Sequence, residues 1–120
     1  KRQLLHKLVL SITFLMIIST ETSTADDRKK ELLICSAYHL KEKLNNQYSS
    51  EEIYLYHDTY FNNLQKVFLE SFPETSTSGF ILSITSIMES WSYTAQEKGS
   101  NYSNNEIKSK YKKLCNSILK

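Results

Sequence analysis

Apolar residues recur at helical spacing in four stretches of the chain, and turn-forming residues separate them. In the first, from about Asp27 to Asn46, Leu33, Ala37, Leu40 and Leu44 form one stripe on a helical wheel, and Ile34 and Tyr38 widen it. His39, flanked by Lys41, Glu42 and Lys43, falls on the side expected to face solvent. Ser49-Ser50-Glu51-Glu52 then has the spacing of a capping box, which predicts a second helix that ends before Pro73. Ile53, Tyr54, Tyr56, Tyr60, Phe61, Leu64, Val67, Phe68 and Phe72 spread over about 160° of that helix, wider than the stripe of a surface helix. This predicts a central helix packed on two neighbours.

The stretch Pro73 to Ser78 reads as a loop whose Ser76, Thr77 or Ser78, together with Gly79, caps a third helix. Phe80, Ile84, Ile87, Met88, Trp91 and Ala95 would line its inner face, and Gly99 would end it. Ser103-Asn104-Asn105-Glu106 repeats the capping spacing and predicts a fourth helix buried through Ile107, Tyr111, Leu114 and Ile118, with Lys108, Lys110, Lys112 and Lys113 solvated. Connections this short favour antiparallel sequential neighbours. The expected fold is an all-α, up-down-up-down four-helix bundle.

Composition narrows the classes of function. Two glycines and one proline in 120 residues are too few for hairpin-rich β folds or for the Gly-rich loops that cradle phosphates. The formal charge of +2 resides in Lys1, Arg2 and Lys7 against Glu21, so the remainder is balanced and carries no basic stripe suited to nucleic acid. Those same cations precede an apolar run from Leu8 to Ser19, and Ser23-Thr24-Ala25 follows with small residues at the positions an export peptidase reads. The run is shorter than the roughly 20 residues needed to cross a bilayer. Residues 1–25 are therefore expected to be a cleaved signal peptide and residues 26–120 the helical domain, exported to a periplasmic or extracellular space, without stable membrane insertion or a lipid anchor.

An oxidising compartment makes Cys35 and Cys115 a disulfide candidate. In an up-down-up-down bundle the start of helix one lies beside the end of helix four, which brings the two cysteines to one level. Closing the loop between them stabilises by roughly 4.5 kcal/mol in the chain-entropy model. Cys35 falls off the Leu33/Ala37/Leu40/Leu44 stripe, which points to a helix turned relative to that stripe.

Residues suited to chemistry are few. His57 lies inside the apolar arc of helix two and needs a polar partner, either as a core histidine satisfied by a tyrosine or carbonyl or as a pH-sensitive or ligand-contacting group. No spacing of His, Cys or Glu suggests a metal, and no cofactor is expected. Ser36, Ser71, Ser83, Ser86, Ser90 and Ser92 stand in no nucleophile elbow, and the pairs Glu51-Glu52 and Asp26-Asp27 read as helix-start residues. Tyr54, Leu55 and Phe72 on helix two, with Leu82 and Tyr93 on helix three, are candidate anchors for a protein partner. Asn101-Tyr102-Ser103 is a glycosylation sequon that would matter in a eukaryotic host.

Cys35-Ser36-Ala37-Tyr38 early, and Asn101-Tyr102-Ser103-Asn104 followed by Lys110-Tyr111-Lys112-Lys113-Leu114-Cys115 late, resemble small exported all-helical proteins of Gram-negative bacteria. The resemblance implies a periplasmic or secreted bundle with a Cys35 to Cys115 bridge and carries over no catalytic residue. The expected role is non-enzymatic binding of another protein, as an envelope accessory, inhibitor or immunity-type protein. The alternatives are a secreted effector acting on a host and a small hydrolase using His57. Intact mass of the exported protein is expected to begin at Asp26 and to gain two alkyl groups only after reduction. An uncleaved chain with two free thiols would refute the export reading.

Overall fold

The computed structural model describes the backbone of residues 2–120 and the side chains of residues 24–99 and 105–120. Four helices follow one another: α1 (Arg2–Asn45), α2 (Glu51–Ser71), α3 (Thr77–Lys98) and α4 (Ser100–Cys115). The chain divides into two units, Lys1–Lys30 and Glu31–Lys120, and the buried core lies wholly in the second. The side chains of the expected export signal up to Ser23, and those of Asn101 to Asn104, lie outside the described residues. Among the described residues no helix is long and apolar enough to cross a membrane.

The helix ends follow from local chemistry. Ser50, rather than Ser49, caps α2 by accepting from the amide of Ile53 at 3.3 Å, with Glu51 and Glu52 in the positive first turn. Phe72 closes the helix one residue before Pro73, as the ring's clash with a preceding turn requires. Ser76 caps α3 through the amide of Gly79 at 3.0 Å. Asp26 and Asp27 are not at a helix start, because α1 already runs through them.

The third connection departs from expectation. A loop ending in a Ser103 cap was expected, yet α4 begins at Ser100 and Gly99 alone separates it from α3. Gly99 stands at φ 92° and ψ 144°, backbone that a side chain disfavours, and its N–H reaches the Ala95 carbonyl at 2.8 Å. A Cβ there would meet no atom within 4 Å, so the backbone and not space makes glycine suitable.

Facing residues establish the bundle order. Cys35 is bonded to Cys115 while Glu42 meets Lys108, so α1 and α4 run antiparallel. His39 meets His57 and Lys43 meets Asp58 on α2. Phe68 and Phe61 of α2 pack on Phe80 of α3 with ring centroids 5.2 and 6.2 Å apart, and Trp91 of α3 lies 5.9 Å from Tyr111 of α4. The fold is an all-α, up-down-up-down bundle stapled by the Cys35–Cys115 disulfide.

One face is rotated from the expected stripe. On α1 the buried residues are Leu32, Cys35, Ser36, Ala37, Tyr38, His39 and Glu42, while Leu33 and Leu40 are half-buried and Leu44 is half exposed. The buried face is centred about 150° around the helix from the Leu33/Ala37/Leu40/Leu44 line, with Ala37 the residue common to both. The disulfide explains the rotation, because Cys35 faces α4 and carries the residues three, four and seven positions along the helix with it. His39, expected in solvent, is fully buried.

Phe80, fully buried between Phe61 and Phe68, holds α3 to α2. Phe80→Ala is expected to cost about 3–5 kcal/mol, whereas Leu82→Ala, at a position that is 68% exposed, stays within about 0.5 kcal/mol. Urea unfolding of the oxidised protein measures both.

Candidate functional site

The polar groups of the core gather in one layer, where α1, α2 and α4 meet. His39, on the buried face of α1, reaches two partners. Its Nε2 lies 2.8 Å from the Cys115 carbonyl oxygen and its Nδ1 lies 2.8 Å from Nδ1 of His57. A carbonyl only accepts, so Nε2 of His39 carries the proton and donates. In a neutral ring Nδ1 of His39 is then a lone pair, and His57 donates to it from its own Nδ1–H. The remaining nitrogen of His57, Nε2, is left with a lone pair.

Aromatic rings enclose this pair. Tyr60 stacks on His39 at a centroid distance of 4.1 Å, while Tyr38 and Tyr56 stand edge-on to His57 at 6.2 and 5.0 Å. Burial pushes the His39 pKa down to about 4, and neighbouring His57 adds to that. The Cys115 hydrogen bond and the Glu42 carboxylate pull the other way. His57 is also lowered, first by burial and then by the Lys108 ammonium. The Tyr38 hydroxyl is pushed up to about 12 by burial, the Glu42 carboxylate and Tyr56, so it remains a donor.

Beside the pair a half-open recess of about 540 Å³ lies between the three helices. His57, Tyr38 and Glu42 form its inner wall, with Asn46, Glu52, Ile53 and Tyr56 on one side and Lys108, Lys112 and Asn116 on the other. Tyr56 bridges α2 to the end of α4 through a 3.0 Å hydrogen bond between its hydroxyl and the Asn116 side-chain oxygen. Glu42 is the unusual member, since its side chain is only 4% exposed. Its ion pairs are long: Lys41 Nζ stands 3.8 Å from Oε1 and Lys108 Nζ stands 3.5 Å from Oε2. Both Glu42 Oε1 and Lys41 Nζ are buried without a hydrogen-bond partner. Lys41 is accordingly lowered by the burial of its ammonium.

The sequence-predicted residues fall in different places. His57 is in the layer, and Cys35 with Cys115 forms its wall toward α4. Leu55 is half exposed, and Tyr54, half-buried, lies under the Lys43 ammonium at 5.4 Å. Phe72 packs on Phe68 against the core at 5.1 Å, while Leu82 and Tyr93 are exposed on the outer side of α3. His39 was expected in solvent, and Glu42 was read only as one of the charged residues flanking it. The signal that could have found them is Cys35, whose face they share.

Four of the serines considered as nucleophiles are engaged locally. Ser36, Ser83, Ser86 and Ser90 donate their hydroxyls to carbonyls three or four residues back in their own helices, at 2.7 to 3.0 Å. The Nδ1 bond of His57 goes to His39 rather than to a carboxylate. Among the described residues no three His, Cys, Asp or Glu side chains converge as metal ligands would. Comparison with protein-family models, curated proteins and solved structures finds no match, so the site is argued from its own geometry.

An Nδ1-to-Nδ1 bond needs one proton and one lone pair, so the layer requires a neutral His39. His39 binds a proton near pH 6.5 when unfolded and near pH 4 when folded, so between those values the unfolded chain holds more protons. Stability is therefore expected to be full above pH 6.5 and to fall as the pH drops toward 4. An NMR titration with urea unfolding at each pH checks this. The expected pattern is an Nε2–H tautomer for His39 and an Nδ1–H tautomer for His57 at pH 7. A His39 that titrates near 6.5 in the folded protein would refute the assignment.

Proposed function

We propose that the protein is an exported, non-enzymatic binding protein that recognises another protein through the recess between α1, α2 and α4. The observation that carries this reading is Glu42, an almost fully buried carboxylate on the inner wall of an open recess, whose Oε2 meets the half-exposed Lys108 at 3.5 Å, too long for a close charge-assisted bond. Burying a weakly paired charge costs stability, which a ligand that supplies a closer contact would offset. The volume lies within the roughly 300–1,000 Å³ of sites that hold a compact group. Ile53 and Tyr56 stand at the rim, 44% and 46% exposed, where aromatic and aliphatic side chains serve as anchors.

Export is supported by the disulfide, which persists in oxidising compartments, and by the n-region, apolar run and small residues that precede Asp26. A periplasmic or extracellular location follows under this reading. An envelope accessory, an inhibitor and an immunity-type protein all work by such binding.

Site-specific photo-crosslinking in cells that export the protein tests the surface. A benzophenone side chain at Ile53 is expected to give a discrete protein adduct that is absent when the same group replaces Leu82 or Tyr93. Adducts from Leu82 or Tyr93 alone would move recognition to the outer side of α3. A lack of adducts at all three positions would overturn a protein partner.

A further inference from the structure

We infer that the recess takes a primary ammonium group that carries a carboxylate a few bonds away, as at the amino terminus of a peptide with an acidic second residue. This deepens the proposed function and rests on the recess being the recognition site. Charge is asymmetric between the depth of the recess and its rim. The deep charge is Glu42, whose cationic neighbours stand 3.8 and 3.5 Å away, beyond a close charge-assisted bond. Lys41 approaches through buried protein with no hydrogen bond of its own, and its position in α1, next to Glu42, gives it little freedom to close in. Lys108 is half exposed and reaches Glu42 from the surface, so an incoming donor can replace it.

An ammonium placed at Glu42 would also meet Tyr38 and Tyr56, whose rings add a cation–π attraction. His57 does not compete with it, since the ring is neutral in the tautomer set by His39 and offers a lone pair. A guanidinium or an amide would satisfy Glu42 as well, and the rim adds a second requirement. Lys108, released from Glu42, and Lys112 one turn further along α4 both line the recess and are exposed. They suit a carboxylate at the mouth. Glu52 on the opposite rim repels the same carboxylate and so orients the ligand toward α4.

The ammonium could come from a chain terminus or from a lysine side chain, and the probes separate these sources. The oxidised full chain, labelled with ¹⁵N, is titrated with Ala-Glu-Ala-amide, which has a free amino terminus, and with acetyl-Lys-Glu-Ala-amide. Controls are acetyl-Ala-Glu-Ala-amide, Ala-Gln-Ala-amide, putrescine and inorganic phosphate. Saturable shifts at Glu42, Glu52 to His57 and Lys108 to Lys112 are expected with one or both of the first two peptides. Acetylation should weaken binding by at least about tenfold, and so should Glu42→Gln, as expected for a lost charge-assisted contact. Lys112→Ser lies on the exposed face and leaves the fold intact, so a severalfold loss in that variant tests the rim even if Glu42→Gln fails to fold.

The inference is overturned if neither peptide shifts the recess, if the acetylated or glutamine control binds as tightly, or if putrescine or phosphate does. Crosslinking from Ile53 requires no such ligand, so a protein adduct there alongside silent peptides would leave the recess reading standing and remove only this ligand class.

Discussion

Cys115 is tied to α1 twice, and the arrangement of the bundle depends on that double tie. Its sulfur is bonded to Cys35, and its carbonyl accepts from His39 Nε2 at 2.8 Å. It is the last residue of α4, where backbone carbonyls have run out of intrahelical donors, so the histidine caps the helix from the side. A disulfide alone fixes a distance, whereas the second contact, one turn further along α1, fixes rotation as well. With the rotation set, Ser36, His39 and Glu42 all turn inward and are buried. Ser36 is satisfied within its own helix through the Leu32 carbonyl at 2.7 Å, but the other two need partners from elsewhere.

The consequence is a core in two chemically different layers. Around Phe61, Leu64, Phe68, Phe80 and Ile84 the contacts are apolar and join α2 to α3. Each such buried side chain is worth about 1.5–3 kcal/mol, and their interlocking rings need no polar partner. The layer between α1, α2 and α4 is held instead by the disulfide, the histidine pair and the Lys43–Asp58 bridge at 2.8 Å. Tyr60 lies at their boundary: its ring stacks on His39 while its buried hydroxyl has no hydrogen-bond partner. The apolar layer gives the domain stability enough to tolerate a polar one.

Much of the fold was legible because its signals are local. Pro73 and the serine caps mark the ends of α2 and the start of α3 whatever the tertiary context, and Gly99 marks the break after α3. The start of α4 lies four residues earlier than expected, its cap at Gly99 rather than Ser103, because a single glycine can turn the chain where a loop was expected. The site was much less legible. Hydropathy places the phase of α1 on its leucines, and that criterion works only when the buried face is the apolar one. Here the buried face carries Ser36, His39 and Glu42, and the flanking lysines made His39 look solvated. The misfit of Cys35 was the available clue. Taking the cysteine rather than the leucines as the inward reference places His39 four residues on and Glu42 seven residues on, both facing inward.

That geometry also separates the roles of the two buried titratable groups. The histidines meet each other's needs while neutral, because one proton and one lone pair make a complete bond and neither ring requires a counterion. A glutamate in the same layer has no such solution: its cationic neighbours, at 3.8 and 3.5 Å, stand too far away to donate closely. Replacing a buried ion pair with apolar side chains is commonly neutral or stabilising, so folding alone gives little reason to place Lys41 and Glu42 there. Leucines at both 41 and 42 would remove the pair, whereas a leucine at 42 alone would leave the Lys41 ammonium buried without its carboxylate. Glu42 is thus a buried carboxylate, on the wall of a recess, that folding alone does not account for.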